Sequence, residues 1–229
     1  AVPNHPTARF MLDALEQGTT PDRMPDAAVK SSFDAYAPDF DSHIRSLDYR
    51  VPELIGEVLA SRLPAPSSDL SILDGGCGTG LSAALLKPYA SQLSGVDLSS
   101  AMLNQARKTC LYDALTEFEL GQYLVEHPLE FDVCVLADVL TYFWRLNKIL
   151  KLSAGALRSG ALLAFSVEES DQKGSQLHTT GRYSHHSEHV DTALRAAGFA
   201  AIRQEKAIIR TEGNAPVRGL IVSAVKWFP

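Results

Sequence analysis

The sequence predicts an α/β fold: a mostly parallel sheet with helices on both faces, closed by an antiparallel pair of strands at the C-terminal end. Two observations carry this. From residue 70 onward, short apolar runs of strand length alternate with amphipathic helical stretches, the pattern of parallel strands joined by helical crossovers. After residue 198 the alternation stops, and two long β-prone runs follow each other across a turn. With 229 residues, 45% apolar and 21% charged, the chain has the composition of an ordinary globular protein.

Taken in order, residues 6–17 read as a short helix stopped by Gly18, and residues 18–26 as a loop. Residues 27–44 place Phe33, Tyr36 and Phe40 at helical intervals, giving an aromatic stripe on a single helix. Residues 51–63 form a helix opened by Pro52 and closed before Pro64. Strands are then expected at 70–74, 92–98, 115–120, 131–138 and 161–169, with helices at 81–90, 99–112, 121–127 and 143–157 between them. Residues 187–198 are a helix ended by Gly198, and 199–210 and 217–227 are the closing strands. The segment "LHTTGRYSHHSEH" between the fifth strand and the last helix reads as a polar loop able to reach the rim of a site. The expected organisation is a helical cover at 1–50 and a main domain at 51–229.

Composition limits the function. A net charge of −6 argues against a nonspecific nucleic-acid binder, which needs a basic footprint. No apolar run approaches the ~20 residues of a membrane helix, and "AVPNHPTARF" is not built like a signal peptide. Three widely spaced cysteines suggest no disulfide framework and fit a reducing cytoplasm. His185 and His189 have a spacing that can bind metal on a helix, but no third ligand is evident, so no metal is expected.

The stretch "SILDGGCGTGL" poses the chemical question. It places a carboxylate, Asp74, at a strand end directly before a glycine loop. Glycines there let the backbone turn sharply and approach a ligand, beyond the strand ends where open parallel sheets bind. A Walker loop is excluded because no Gly-Lys-Ser/Thr follows. "GTGLSA" does fit the dinucleotide pattern. Yet a carboxylate at the loop mouth repels pyrophosphate and attracts a cationic amino-acid moiety, such as that of S-adenosylmethionine. Asp97, ending the second strand, has two oxygens for two ribose hydroxyls. That role suits a dinucleotide equally, so an NAD-dependent oxidoreductase stays open as an alternative.

"LDGGCGTG" followed by "GVDLSSAMLNQAR" resembles motifs I and II of the class I S-adenosylmethionine-dependent methyltransferases. The match runs over most of the chain, and the order of elements resembles that Rossmann-like fold with its seven-stranded sheet. "FDAYAPDFD", "LDYRVPELI", "LYDAL", "FSVEE" and "LHTTGRYSH" narrow the likeness to the predicted methyltransferases linked to tetratricopeptide repeats. The resemblance implies S-adenosyl-L-methionine as cofactor, S-adenosyl-L-homocysteine as product, and no metal. It implies cofactor contacts from Asp74, Gly76, Cys77, Gly78 and Gly80, from Asp97, Leu98 and Met102, and from Glu119, Leu120, Ala137 and Asp138. Asp is more usual at the position of Glu119. Tyr36, and Arg50 with its neighbour Tyr49, are added from the helical cover. The acceptor is expected against Tyr142, Glu168, Arg182 and Tyr183, with His178 or His185 as general base. A small-molecule methyl acceptor is the expected partner, O- or N-methylated. A peptide acceptor, a protein partner where the chain belongs to a repeat-containing protein, or an inert cofactor-binding module are the alternatives.

Overall fold

The computed structural model describes residues 6–16 and 20–227; Gly18, the expected helix stop, lies outside the described residues. The chain begins with α1 (Pro6–Glu16), α2 (Asp26–Tyr36), α3 (Phe40–Ser46) and α4 (Val51–Arg62). It continues through β1 (Leu70–Gly75), α5 (Ala83–Leu86), β2 (Ala90–Asp97), α6 (Ser100–Lys108), β3 (Ala114–Glu117), α7 (Leu120–Glu126) and β4 (Phe131–Leu136). Then come α8 (Leu146–Ala156), β5 (Leu157–Glu169), β6 (Ser175–Leu177), β7 (Tyr183–His185), α9 (Ser187–Ala196), β8 (Phe199–Glu212) and β9 (Ala215–Lys226).

The main sheet runs β3-β2-β1-β4-β5-β9-β8. The first five strands are parallel, β9 returns antiparallel on β5, and β8 pairs antiparallel with β9. This is the expected Rossmann-like methyltransferase fold. The strand order reverses direction between β1 and β4, which opens a crevice at their C-terminal tips. Neighbouring residues on the central strands serve opposite faces. Ile72 and Val133 pack with α4 and α5, while Leu73 and Cys134 pack with α7, α8 and α9. Burial on both faces explains why these strands read as continuous apolar runs.

Several boundaries differ from the sequence expectation for identifiable reasons. The single helix at 27–44 is two helices, α2 and α3. Pro38 has no N–H to give to the preceding turn, and Asp39 N–H donates to Tyr36 O at 3.1 Å instead. The helix at 81–90 is reduced to α5 and a 3-10 turn at Lys87–Tyr89 containing Pro88. The third strand stops at Glu117, because the Glu119 carboxylate accepts from Gln122 N–H at 2.8 Å and caps α7. Glu119 is thus a helix cap and not a strand end.

The polar loop is also ordered differently. β6 and β7 form a hairpin whose turn is closed by His178 N–H to Arg182 O (2.9 Å) and Gly181 N–H to His178 O (2.8 Å). β7 runs parallel to the tip of β5, pairing at Glu168 and Glu169, while β9 holds the other edge of β5. The β6–β7 turn therefore extends over the end of β4.

Candidate active site

One cavity of about 740 Å³ opens at the strand tips. Its floor is the glycine loop, built by backbone bonds. The N–H groups of Gly76 and Cys77 both donate to Val96 O, at 2.7 and 3.0 Å. Gly78 N–H donates to Asp97 Oδ2 at 2.9 Å, and Ser99 N–H donates to Asp97 Oδ1 at 2.8 Å. Two backbone donors fix the Asp97 carboxylate toward the cavity while leaving each oxygen a free lone pair. Ser99, not Asp97, caps α6, its hydroxyl accepting from Met102 N–H. Gly78 has a φ of +54°, and a Cβ there would meet nothing within 4 Å. The loop thus presents bare backbone to open cavity.

Asp74, Gly76, Cys77, Gly78, Asp97 and Leu98 all line this cavity, as do Met102, Glu119, Leu120, Ala137 and Asp138. Asp74 is 1% exposed. Burial pushes its carboxyl up to about 6, opposed by a hydrogen bond from Tyr112 and reinforced by the charge of Asp97. Burial also raises the Cys77 thiol well above its usual range, with Asp74 and Asp97 adding to it. A neutral thiol is a wall atom and not a nucleophile. Burial works against ionisation of Glu119, but the N–H groups of Gly121 and Gln122 and the guanidinium of Arg23 outweigh it and hold it below the usual range. Asp138 adopts a left-handed backbone (φ 58°), its N–H donating to Ser166 Oγ at 2.8 Å.

The other end of the cavity is made by segments distant in sequence. Phe33 and Tyr36 from α2 and Phe40 from α3 project over the strand tips. Phe33 meets Tyr142 edge-on at 5.8 Å, and Tyr36 meets Phe40 at 5.3 Å. The aromatic stripe survives the break in the helix. α2 is fastened to the sheet by Lys30, which donates to Glu117 at 2.6 Å and Leu98 O at 3.0 Å. Ser99 Oγ donates to Asp34 at 2.6 Å, and Thr79 Oγ1 to Asp41 at 2.6 Å. Arg23 donates to Glu119 at 2.6 Å.

Arg182, delivered by the β6–β7 turn, faces the cavity beside Tyr142. Its guanidinium binds Glu212 and lies 3.7 Å from Glu168. Arg210, 2% exposed, binds Glu168 and Glu212 and stands 3.7 Å from Asp138. Burial disfavours the charged Arg182, but Tyr142 and the carboxylates of Asp138, Glu168 and Glu212 hold it above its usual range. Burial lifts the Tyr142 hydroxyl to about 12.

Other expected residues lie elsewhere. Arg50 is exposed and outside the cavity wall; its neighbour Tyr49 lines the cavity instead. Gly80 is not in the wall. Glu168 stands behind Arg182, and Tyr183 is fully buried, donating from its hydroxyl to Pro21 O at 3.0 Å. His178 hydrogen-bonds to Ser184 Oγ at 2.7 Å, and His185 Nδ1 to Ser175 Oγ at 3.0 Å. Neither histidine reaches the wall. His185 is 0% exposed, and burial, with His189 beside it, pushes its imidazole down to about 4. It sits on β7 and not on a helix, stacked on His189 at 5.9 Å. Among the described residues no group of three or more His, Cys, Asp and Glu is placed to hold a metal ion.

Sequence reasoning missed Arg23, Thr79, Tyr112 and Glu212. Thr79 and Tyr112 lie in the quoted "LDGGCGTG" and "LYDAL" stretches, whereas Arg23 and Glu212 carry no such signal.

The architecture and the glycine loop together define the class of fold, and comparison with known proteins agrees. Residues 73–165 match the family model of a methyltransferase domain. Human methyltransferase-like protein 27 is 42% identical over 121 residues, which is 52% of this chain and 49% of that protein. The chain spans about half the length of the first curated relatives it matches. Among solved structures, a Burkholderia thailandensis 1,6-didemethyltoxoflavin-N1-methyltransferase, bound to 1,6-didemethyltoxoflavin and S-adenosylhomocysteine, superposes with a TM-score of 0.70 at 19% identity, covering 88% of each chain. The [4+2]-cyclase SpnF superposes at 0.72 and 17% identity, covering 91% of this chain and 98% of its own. These two likenesses concern the fold.

Proposed function

We propose that the protein is an S-adenosyl-L-methionine-dependent methyltransferase acting on a small-molecule acceptor, with S-adenosyl-L-homocysteine as product. One observation carries the reading: Asp74 and Asp97, on adjacent strand tips, flank a glycine loop and open on one cavity that continues into an aromatic compartment. The curated relative and the matched domain model support the same activity.

The cofactor supplies a sulfonium-activated methyl group when bound. The protein's own residues do the rest. Asp97 accepts the ribose diol with a carboxylate already oriented by Gly78 and Ser99. Asp74 receives the ammonium group, and the apolar side chains of Leu98, Met102, Phe118 and Leu120 enclose the base. Phe33, Tyr36, Phe40 and Tyr142 exclude water from the acceptor compartment. Alignment of two reactants in this way supplies on the order of 7–11 kcal/mol. A histidine base from β6–β7 has no support in the geometry; Asp138 is a carboxylate that does face the cavity. The acidic charge and the aromatic lining of the compartment favour a small acceptor over nucleic acid. A protein partner follows only from kinship with repeat-linked methyltransferases. The three free cysteines suit a reducing compartment such as the cytoplasm. Among the described residues no helix is long and apolar enough to cross a membrane.

A second reading has one observation behind it. The likeness to a cyclase means that this fold also serves chemistry other than methylation. Calorimetry with S-adenosylhomocysteine and with NADH tests the cofactor assignment. S-adenosylhomocysteine should bind, and Asp97→Ala should cost about 1.5–3 kcal/mol of that affinity. Binding of NADH alone overturns the reading. Binding without turnover against a broad acceptor library favours the second.

A further inference from the structure

Tyr112 belongs to the segment between α6 and β3, outside the glycine loop, yet its ring lies against that loop. A Cβ on Gly80 would stand 3.0 Å from Tyr112 Cε2, and a Cβ on Gly95 would stand 2.9 Å from Tyr112 Cε1. Both are closer than a side chain tolerates without the ring moving. The two glycines form a slot, and through it the Tyr112 hydroxyl donates to Asp74 Oδ2 at 2.6 Å. This also accounts for Gly80, a motif glycine absent from the cavity wall: its missing side chain leaves room for a tyrosine.

We propose that Tyr112 is a positioning residue for cofactor binding, holding the Asp74 carboxylate oriented and ionised to receive the α-ammonium group of S-adenosylmethionine. The inference rests on the cavity being an S-adenosylmethionine site. The physical need is plain, because a carboxylate this deeply buried resists ionisation. Around Asp74 stand Cys77 from the loop, Asp97 from β2, Cys134 from β4 and Tyr112. Burial raises both thiols, with Asp74 adding to it, so they stay neutral. Burial and the charge of Asp74 also hold the Tyr112 hydroxyl above its usual range, so it remains a proton donor. Asp97 contributes repulsion. Tyr112 therefore stands alone among these groups in favouring the charged carboxylate.

The sign of the pH dependence follows. Asp74 titrates near 6: above that pH its charge attracts the ammonium group, and below it the attraction is lost. Removing the Tyr112 hydroxyl raises the Asp74 value further, so affinity is lost at a higher pH. The test is calorimetry of S-adenosylhomocysteine from pH 5 to 7.5, using the whole chain with Tyr112→Phe, Asp74→Asn and both together. For an upward move of about one pH unit, Tyr112→Phe binds roughly five- to tenfold more weakly between pH 5 and 6 and within about twofold of wild type at pH 7.5. Added to Asp74→Asn, it has no further effect. Thermal unfolding checks that each variant is folded. A loss that is equal at every pH, or that persists in the Asp74→Asn background, assigns Tyr112 a structural role and overturns the inference. No binding by wild type at any pH overturns the cavity reading itself, and the inference with it.

Discussion

The two ends of the cavity are built on different plans. The end over β1, β2 and β3 comes from contiguous motifs. Asp74 to Gly78 form its floor, Asp97 to Met102 its side, and backbone hydrogen bonds bind these together. The end over β4 and β5 comes from segments spread along the chain: α2, α3, the β6–β7 turn and the β8–β9 turn. It is held by side chains, namely an aromatic cluster and a network of two arginines and three carboxylates. Backbone-defined sites tolerate little change in residue type, whereas side-chain networks are freely rebuilt. A constant cofactor with a variable acceptor is the arrangement such a division suits.

The largest expected effect tests the backbone-built end. Gly78→Val places a branched side chain in open cavity at a positive φ. Calorimetry should find no S-adenosylhomocysteine binding; the Cβ meets no protein atom, but a branched residue at this φ is strained, so thermal unfolding checks that the variant is folded. Ordinary affinity in this variant breaks the comparison, since the loop would then face something other than cofactor.

Arg210→Met addresses the network-built end. It leaves Glu168, 9% exposed, without its closest ion-pair partner. Arg182 at 3.7 Å remains as a weaker partner, so the loss falls short of the about 3–5 kcal/mol of a fully unpaired buried charge and is read by urea denaturation. S-adenosylhomocysteine affinity should hold while stability falls. A collapse of affinity as well would mean that the two ends are energetically one.

The smallest effect concerns their junction. Asp34 of α2 accepts from Ser99 Oγ and from Ala101 N–H, while Ser99 N–H orients Asp97. Asp34→Ala should therefore weaken S-adenosylhomocysteine binding by about 1 kcal/mol, the net worth of an ordinary hydrogen bond. An unchanged dissociation rate in stopped-flow measurements would uncouple the helical cover from Asp97.

The difference between the ends also explains what sequence could reveal. Asp74, Gly76, Gly78 and Asp97 were legible because strand–loop–helix geometry at a strand tip constrains residue type locally. Tyr36, expected at the cofactor, and Tyr142 and Arg182, expected at the acceptor, all line the cavity. His178 and His185 were misplaced because the segment was taken as a loop. β7 is buried along its whole length, Tyr183, Ser184 and His185 alike, and His178 in the turn hydrogen-bonds to Ser184, so neither histidine meets the cavity. Of the neighbours Tyr49 and Arg50, both expected near the cofactor, Tyr49 lines the cavity and Arg50 does not. Tyr112 lies in the quoted "LYDAL" stretch, but its role was not legible, because its partner Asp74 is 38 residues away.

By itself, then, the sequence determined the parallel sheet, the antiparallel closure and the glycine-loop end of the cavity, since strand period, crossover length and glycine loops are local rules. The tertiary structure alone decided how the helical cover breaks at Pro38, which face of the β6–β7 hairpin looks inward, and which charges meet around Arg210. Those depend on contacts between residues far apart in the chain, where packing and burial choose among conformations that local preference leaves equal.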